Sequence, residues 1–393
     1  MSLEYGPLEQ RLGSRLALLI ANLGIELATI DVALFRVPLN PPIDTVFGPM
    51  ASRPAIFLRV VDRDGNEGLG EVWCNFPPCG AEHRARLAAS VLPGLLIGQR
   101  FRNPAAVHDA LERKLHTLSL QAGEPGPVAQ VLGGLDVALW DLVARRQGIP
   151  LYALFGGTNK VPVYASSIPP QDPVAVATAA QAAGYSAFKL RVGFGDDKDW
   201  RNLTDLRQEL GDEAVLMVDA NQSWTVEQAI RMAKRMRDSR VGWVEEPIPA
   251  DSPSSAWQCI IREGGLPLAG GENIRGLPEF ESLIHNADLQ VLQPDAGKWG
   301  GVSGGLHIGA AARRAGLRYC PHWLGGGVGL AASLQLQGAL GGLDYVEVDA
   351  NPNPLRQLII DLPVQDGHMI LPDSPGLGVS VDLPSLARFR ISF

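Results

Sequence analysis

Cysteine is scarce in this sequence. The 393 residues contain four cysteines, too few for a disulfide framework, and no C-x-x-C pair occurs. Cys74 and Cys79 are close together, but no second Cys or His pair lies nearby to complete a zinc site. The sequence therefore indicates neither a disulfide-stabilised scaffold nor a zinc module.

A surplus of positive charge is also missing. Lys and Arg total 34 against 42 Asp and Glu, which gives a formal net charge of −8. A dedicated nucleic-acid binder needs a basic face, and an anionic membrane surface attracts polybasic segments. We therefore expect neither nucleic acid nor a membrane among the partners of this protein.

Long hydrophobic runs are absent as well. Without 18 consecutive apolar residues, the sequence predicts no membrane-spanning helix. The apolar segment 16–23 is short and no small-residue cleavage motif follows it. We predict a flexible leader over residues 1–24 rather than a signal peptide, and a cytoplasmic protein. With 46% hydrophobic and 19% charged residues, the rest of the chain can form a core.

The first region after the leader mixes strands and helices. Residues 25–73 have the pattern of strands, with a hairpin signal at the turn 62–66. Segments 82–92, 104–118 and 128–147 then follow a helical period. Together they predict an α+β domain over residues 25–155.

The second region repeats one unit. Eight short apolar segments, each followed or preceded by a helical one, are predicted to be strands. These strands are 163–166, 187–190, 215–218, 242–244, 267–269, 289–292, 318–320 and 345–346. This alternation predicts parallel βα units that close into a barrel over residues 156–357. We expect the proline-rich segment 358–393 to pack back on the first domain.

Ionisable residues follow the second to eighth of these predicted strands. In chain order they are Lys189 with Arg191, Asp219, Glu245, Glu272, Asp295, His322 and Glu347. In a parallel barrel all strands end at the same mouth, where active sites are built. We therefore expect these side chains to converge, although any single acid could instead be a solvated loop residue or a helix cap.

Three successive strand ends carry a carboxylate: Asp219, Glu245 and Glu272. Such a group repels itself unless a cation neutralises it. Oxygen ligands without Cys or His favour Mg²⁺. The sequence therefore predicts a magnesium site at the barrel mouth.

This ordered set of residues resembles the enolase superfamily, in its mandelate racemase subgroup. The likeness rests on Lys189-x-Arg191, on the acids and histidine named above, and on the segments 138–142 and 218–223. It runs from about residue 25 to the C-terminus. It implies an α/β fold, a (β/α)7β modified TIM barrel with an α+β capping domain formed from both termini, and a homo-oligomer.

The resemblance also implies roles for the residues. Asp219, Glu245 and Glu272 would bind Mg²⁺, whereas Glu246 would not be a primary ligand. Asp295 and His322 would form a dyad in which the carboxylate orients the imidazole. Glu347 would hydrogen-bond a carboxylate oxygen of a small-molecule substrate. The reaction would remove a proton α to that carboxylate and pass through an enediolate.

The sequence departs from the family at Arg191, where a second lysine usually acts as a base. A guanidinium is a poor base near neutral pH, although it clamps carboxylates well. In the family the first lysine usually polarises the substrate carboxylate, and Lys189 is expected to do so here. Arg191 could be a base, a clamp or a spectator. His322 is therefore the expected acid/base group.

A single base suits a dehydratase, because His322 can remove the α-proton and then protonate the leaving β-hydroxide. We therefore predict dehydration of a sugar acid to a 2-keto-3-deoxy acid. A racemase or epimerase of a 2-hydroxy acid is the alternative, and a non-catalytic ligand-binding protein is a remote one. A muconate-type cycloisomerase is disfavoured, since it relies on the second lysine and lacks the dyad.

Substrate specificity is predicted to come from the capping domain and the mouth. The candidate substrate-binding residues are Phe47, in a proline-rich loop over 38–54, together with Trp73, Asn75 and Asn221. The alternative for the aromatic residues is that they pack the interface between the two domains.

Two other motifs suggest different chemistry. Gly301-x-Ser303-x-Gly305 matches the nucleophile elbow of hydrolases, but the preceding strand is predicted to end near Gln293, too early for an elbow. The segment 327–332 matches a dinucleotide-binding fingerprint, yet it follows the seventh strand of the series rather than the first. Its backbone N–H groups could still bind a substrate carboxylate or hydroxyl.

Overall fold

A four-stranded antiparallel sheet forms the base of the capping domain. The computed structural model describes residues 23–45, 48–382 and 384–393, so most of the predicted leader and Phe47 lie outside the described residues. The strands are arranged in the order β14-β1-β2-β3. They are β1 Leu27–Thr45, β2 Gly48–Asp62, β3 Glu67–Val72 and β14 Arg390–Ile391.

The proline-rich segment 38–54 is part of a hairpin, and its prediction as a loop was wrong. The β1–β2 ladder shifts register between Pro38 and Ile43, then resumes with Ile43 opposite Met50. The interruption covers residues 39–42, which include Pro41 and Pro42. Proline lacks the N–H that a ladder needs and is tolerated at irregular positions of a strand. The hairpin therefore extends the cap as a two-stranded arm.

Helices cover the sheet. They are α1 Gly80–Leu96, α2 Pro104–Ala122, α3 Pro125–Arg146 and the short α4 Leu151–Leu154. By length and composition α3 could cross a membrane, with a mean hydropathy of 1.3, but 78% of its most apolar stretch is buried inside the protein. It packs closely against β3, where a Cβ on Gly70 would lie 2.0 Å from the Gly134 carbonyl oxygen. Its apolar residues thus form the centre of the cap.

Eight parallel strands form the barrel, and each predicted strand is present. They are β4 Lys160–Ile168, β5 Ala187–Arg191, β6 Val215–Asp219, β7 Val241–Glu245, β8 Leu268–Gly270, β9 Val291–Leu292, β10 Arg318–Tyr319 and β11 Val346–Asp349. Neighbours pair in chain order from β4 to β10, and β11 pairs with β4. The predicted α/β fold, a (β/α)7β barrel with a capping domain, is confirmed.

Helices alternate with these strands. They are α5 Pro173–Ala182, α6 Asp196–Leu210, α7 Val226–Met236, α8 Ser254–Gly264, α9 Leu277–Asn286, α10 Gly301–Arg314, α11 Gly327–Ala339 and the short α12 Pro354–Gln357. Short 3₁₀ turns occupy Arg237–Ser239 and Ala387–Phe389. Between β10 and β11, the Tyr319 N–H donates to Asp344 Oδ2 at 3.1 Å.

A hydrophobic plug fills the interior of the barrel below the strand ends. It consists of Tyr164, Ala187, Met217, Trp243, Ala269, Val291 and Cys320, all buried. The ionisable side chains described below lie beyond this plug, at the strand ends that face the cap.

The C-terminal segment touches both parts of the molecule. Strands β12 Val364–Gln365 and β13 His368–Ile370 extend the barrel sheet beside β4, whereas β14 pairs with β1 of the cap. The domain boundaries given above stay predictions.

Candidate active site

His322 and Asp295 form a buried hydrogen-bonded pair at the mouth. His322 Nδ1 lies 2.7 Å from Asp295 Oδ2, while Asp295 Oδ1 accepts from the backbone N–H groups of Gly297 and Lys298. The loop after β9 thus fixes the carboxylate, and the carboxylate fixes the ring. Because Nδ1 donates to Asp295, Nε2 is the nitrogen that can exchange a proton.

Glu272 faces Nε2 of this histidine. Its Oε2 lies 2.7 Å from His322 Nε2 and 2.7 Å from Lys298 Nζ. Burial opposes ionisation of Glu272, but the charges of His322 and Lys298 outweigh it and hold its pKa well below the ordinary range. Burial lowers the pKa of His322, but the carboxylates of Glu272, Glu347 and Asp295 hold it well above its ordinary value.

Lys189 connects two further acids. Its Nζ donates to Glu245 Oε2 at 2.6 Å and lies 2.8 Å from Glu347 Oε1. Burial lowers the pKa of Lys189, yet these carboxylates raise it well above the ordinary value. Lys189 is therefore a fixed cation in the floor of the site.

Glu347 is surrounded by donors from the protein. Ser166 Oγ and Lys189 bind Oε1, and the Trp323 N–H donates to Oε2 at 3.1 Å. Although burial opposes its charge, Lys189 and His322 lower its pKa, so it is ionised. An ionised Glu347 has no proton to donate to a substrate carboxylate, and the role implied by the family resemblance stays a prediction.

Asp219 and Glu246 complete the ring of acids. Asp219 accepts from the N–H and the side-chain amide of Asn221, at 2.8 and 2.9 Å. Asn221, predicted to bind substrate, thus orients a carboxylate here. Glu246 accepts from Gln222 and Asn273, and burial raises its pKa to about 8.

The three predicted metal ligands occupy neighbouring strand ends, with Asp219 opposite Glu245 in the β6–β7 ladder. Burial and the charge of Glu272 both raise the pKa of Asp219, and burial raises that of Glu245 to about 8. Across residues 23–45, 48–382 and 384–393, no three His, Cys, Asp or Glu side chains are grouped around one point suitable for a metal. Cationic side chains pair with these carboxylates instead: Lys189 with Glu245 and, at 3.9 Å, with Asp219, and His322 and Lys298 with Glu272. The all-oxygen donor set still fits Mg²⁺.

The cap contributes Trp73 and Asn75, both at its interface with the barrel. Lys298 Nζ lies 4.5 Å from the centroid of the Trp73 ring, and Arg84 stacks on the same ring. Asn75 Nδ2 donates to the Leu324 carbonyl oxygen at 2.6 Å. The alternative of interface packing therefore describes Trp73 well, and substrate contact by either residue stays a prediction.

Several groups at the mouth were missed from the sequence. Lys298 comes three residues after Asp295, between the predicted strand 289–292 and α10, where no motif indicated it. Asp349 stands two residues after Glu347 on the same strand, so the two-residue period of strands could have found it. Arg53, which pairs with Asp349, comes from the cap and carries no local signal.

The start of α11 is taken by a carboxylate of the protein itself. Glu71 of β3 accepts from the N–H groups of Gly326 and Gly329, the latter at 2.9 Å. Backbone N–H groups at a helix start favour an anion, as the sequence suggested. The group bound there is the carboxyl of Glu71 and not a substrate, so this contact ties the cap to the barrel.

Stability should depend on pH through Glu71. Burial raises its pKa from 4.5 to about 7, more than its backbone hydrogen bonds lower it. Between these values the unfolded chain loses the proton while the folded chain keeps it, so stability falls as pH rises. The difference of about 2.5 in pKa corresponds to about 3 kcal/mol. We expect wild type to lose this stability relative to Glu71→Gln between about pH 5 and about pH 8.

Urea unfolding of both proteins at the two pH values checks this expectation. Glu67→Gln is the matched control on the same strand, because Arg59 holds the pKa of Glu67 below its ordinary value. Above its ordinary pKa, Glu67 contributes its full stabilisation. The difference in unfolding free energy between Glu67→Gln and wild type should therefore stay constant over this range. Parallel pH profiles for wild type and Glu71→Gln would contradict the expectation.

Ser303 lies within α10 and not at a nucleophile elbow. Its hydroxyl donates to Asp136 Oδ1 at 2.7 Å and accepts from Trp140 Nε1 at 2.8 Å. The Ser303 N–H donates to Asp136 Oδ2 at 2.9 Å. The serine therefore joins α3 to α10, a structural role.

Ser303→Ala should leave turnover within about twofold of wild type and cost about 1–3 kcal/mol of stability, because it leaves buried partners unpaired. Ser333→Ala is the matched control, since in the described part of the chain the buried Ser333 hydroxyl has no hydrogen-bond partner. Ser333→Ala should therefore change the free energy of unfolding little. Kinetics and urea midpoints measure both; lost turnover at unchanged stability would instead make Ser303 a catalytic group.

The protein has the architecture of an α/β-barrel enzyme. Its barrel is capped, and acids, a histidine–aspartate pair and a buried lysine stand at the strand ends. Comparison with known families agrees with this. The model of the mandelate racemase/muconate lactonizing enzyme N-terminal domain matches residues 25–156, and the enolase C-terminal domain-like model matches residues 173–385. The chain belongs to the mandelate racemase/muconate lactonizing enzyme family of the enolase superfamily, as its motifs predicted.

Characterised relatives share most of the chain. It is 33% identical over 367 residues to 3,6-anhydro-alpha-L-galactonate cycloisomerase of Streptomyces coelicolor, covering 91% of this chain and 98% of that one. It is 30% identical over 375 residues to L-talarate/galactarate dehydratase of Salmonella typhimurium, covering 92% and 90%. Sugar-acid dehydratases, cycloisomerases and a racemase thus occur among its relatives.

Solved structures agree with the fold. A mandelate racemase/muconate lactonizing enzyme from Bordetella bronchiseptica is 45% identical with a TM-score of 0.87, covering 93% of this chain and 99% of that chain. A racemase from Streptomyces coelicolor with bound magnesium is 30% identical with a TM-score of 0.84, covering 93% and 100%. Magnesium is therefore found in a close structural relative.

Proposed function

We propose that this chain removes the proton α to the carboxylate of a sugar acid and then expels the β-hydroxide. The product would be a 2-keto-3-deoxy acid. The observation that carries the proposal is the pair His322–Asp295. Asp295 Oδ2 lies 2.7 Å from His322 Nδ1, which leaves Nε2 facing the ring of strand-end groups. Glu272 now holds Nε2 in its protonated form. Once Glu272 has left it, that nitrogen would take the α-proton and return it to the departing oxygen.

The surroundings of His322 favour elimination over racemisation. A racemase needs a proton-transferring group on each face of the substrate. Lys189 is held by two buried carboxylates, so using it as a base would break both contacts. Arg191 is a guanidinium and a poor base. Of His322, Lys189 and Arg191, the histidine is therefore the group suited to proton transfer, and one such group is enough for β-elimination.

Asp219, Glu245 and Glu272 would hold Mg²⁺ in this proposal. When bound there, the ion would supply positive charge that stabilises the negative charge developing on the substrate carboxylate. Lys298 and His322 now pair with Glu272, and both would have to give up that carboxylate. Lys189, at Glu245, would remain to position the same end of the substrate.

Cycloisomerisation of a sugar acid is the second candidate. It is favoured by the 33% identity to a sugar-acid cycloisomerase over nearly the whole chain. The one-base elimination is the same when the leaving β-oxygen belongs to a ring, except that the ring opens and no water is released. The groups at the mouth would serve either leaving oxygen.

The remaining biological assignments are proposals too. The partner would be a small-molecule carboxylate, with neither nucleic acid nor membrane involved. We propose a homo-oligomer acting in the cytoplasm.

A substrate screen tests the function. Magnesium-loaded protein is incubated with mono- and diacid sugars and their lactones or anhydro forms, and 2-keto acids are detected with semicarbazide. Mass spectrometry then shows whether the product has lost one water, as for a dehydratase, or is an isomer, as for a cycloisomerase. In D₂O, α-proton exchange without keto acid would favour a racemase, and no exchange on any acid would contradict α-proton abstraction.

A further inference from the structure

Three buried arginines, Arg53, Arg191 and Arg356, lie near Asp349 at one side of the mouth. Arg53 of the cap donates through Nη2 to Asp349 Oδ2, with both side chains 2% exposed. Arg356 of α12 lies with Nη1 3.8 Å from the same oxygen. Arg191, at the end of β5, is buried beside them. None of these contacts belongs to the proton-transfer machinery described above.

Asp349 cannot neutralise this cluster alone. Its Oδ1 already accepts from the N–H and the side-chain amide of Asn351, at 3.0 and 2.8 Å. Within the residues that the structure describes, neither Arg53 Nε nor Arg356 Nη1 has a hydrogen-bond partner, although both atoms are buried. A buried guanidinium with unused donors is costly, and an anion that binds there removes the cost.

Arg53 and Arg191 act on one another across the mouth. Burial lowers the pKa of Arg191, Asp349 and Asp219 raise it, and the charge of Arg53 lowers it again. Arg191 ends β5 and Asp349 ends β11, and both strands pair with β4, so Arg191 lies on the same side of the mouth as Asp349 and the Arg53 side chain that binds it. Arg356 approaches Asp349 as well, which leaves the charge of Arg53 only partly compensated.

The position of the cluster suits the far end of the proposed substrate. Arg191 follows Lys189 by two residues on β5, and Asp349 follows Glu347 by two residues on β11. Two residues of strand rise about 6.6 Å. A chain of five carbon–carbon bonds of about 1.5 Å covers a similar length when extended as a zigzag. A substrate with its reacting end near Lys189 would place a group six carbons along near Arg53.

We propose that Arg53 and Arg191 bind a second carboxylate of the substrate, which makes this a site for dicarboxylates. The inference rests on the proposed function, because it assigns the other end of the same substrate. Arg53 Nε and the plane of its guanidinium match a carboxylate in a two-point contact. Arg356 acts as a positioning residue that holds Asp349 and through it Arg53.

Binding of unreactive acids tests this without any turnover. Calorimetry with magnesium-loaded protein compares adipate, a six-carbon dicarboxylate, with hexanoate, its monocarboxylate counterpart. Wild type should bind adipate about tenfold to a hundredfold more tightly, the effect of one or two charge-assisted hydrogen bonds. Arg53→Met should abolish the preference by weakening adipate alone.

Arg59→Met is the matched control, an arginine on the same strand that pairs with Asp31 and Glu67 on the outer surface. It should keep the preference. If Arg53→Met does not fold, Arg53→Lys replaces it and should weaken adipate several-fold without changing hexanoate. Equal affinities for the two acids in wild type, or a preference that survives the Arg53 change, would overturn the inference.

The two proposals fail in different ways. Keto-acid production from a monocarboxylate sugar acid, together with no adipate preference, would remove the dicarboxylate site and leave the proposed function. An adipate preference that depends on Arg53, together with no α-proton exchange on any acid, would support the dicarboxylate site and contradict the proposed function.

Discussion

His322→Asn should lower turnover by about ten-thousand-fold, because the variant loses the group that acts as base and then as acid. Asparagine is similar in size to the proximal half of the imidazole, but it neither accepts nor returns a proton near neutral pH. Turnover is measured as 2-keto acid formation on the substrate that the screen identifies. In D₂O, the α-proton of that substrate should no longer exchange, as followed by NMR.

Magnesium binding and folding should survive this change. Calorimetry with Mg²⁺ and a thermal melt provide those readouts. His285→Asn is the matched control, since His285 is exposed near the end of α9, and it should leave turnover unchanged. Near-normal activity of His322→Asn, or α-proton exchange at the wild-type rate, would refute the proposed mechanism.

Gly70→Ala should destabilise the protein by about 3 kcal/mol, the largest stability effect that we expect from a single methyl group. The added Cβ would lie 2.0 Å from the Gly134 carbonyl oxygen and 2.8 Å from the Ala138 nitrogen. Both atoms belong to the backbone of α3, so no side chain can rotate to make room. The helix would have to move away from β3, in the centre of the cap.

Urea unfolding and the yield of folded protein measure this effect. Gly94→Ala is the matched control, because Gly94 is exposed in α1 and nothing lies within 4 Å of its added Cβ. Alanine favours a helix over glycine, so this variant should gain about 0.5–1 kcal/mol. Equal stabilities for the two variants would mean that β3 and α3 are not tightly packed at Gly70.

The barrel could be predicted from the sequence because its signals are local. Each strand is a short apolar run, and each chemical group stands directly after one. Strand order therefore predicted that Asp295 and His322 lie at the same mouth, and the family resemblance predicted that they pair; His322 Nδ1 lies 2.7 Å from Asp295 Oδ2. The order of parallel strands in a barrel follows the order of the chain, so neighbours in sequence are also neighbours in space.

The contacts between cap and barrel could not be predicted in this way. Arg53 and Asp349 are 296 residues apart, and Glu71 and Gly326 are 255 apart. No periodicity relates such positions, because they are brought together only when two separately patterned domains dock. The partners of the acids were missed for a related reason. Strand order places Glu272 at the mouth, but only the side-chain geometry shows that Lys298 and His322 compete for it.

The buried bonds between cap and barrel also limit how such enzymes can be recombined. Arg53 binds Asp349, Glu71 binds the N–H of Gly326, and Asn75 binds the carbonyl oxygen of Leu324. Each bond pairs a cap residue with one in the last third of the chain, far from the domain boundary. A chimera that joins the cap of a relative to this barrel would separate all three pairs. Chimeras that preserve function should therefore take segments 324–329 and 349–356 from the same parent as the cap. The residues that must be exchanged together are thus encoded in separate parts of the gene.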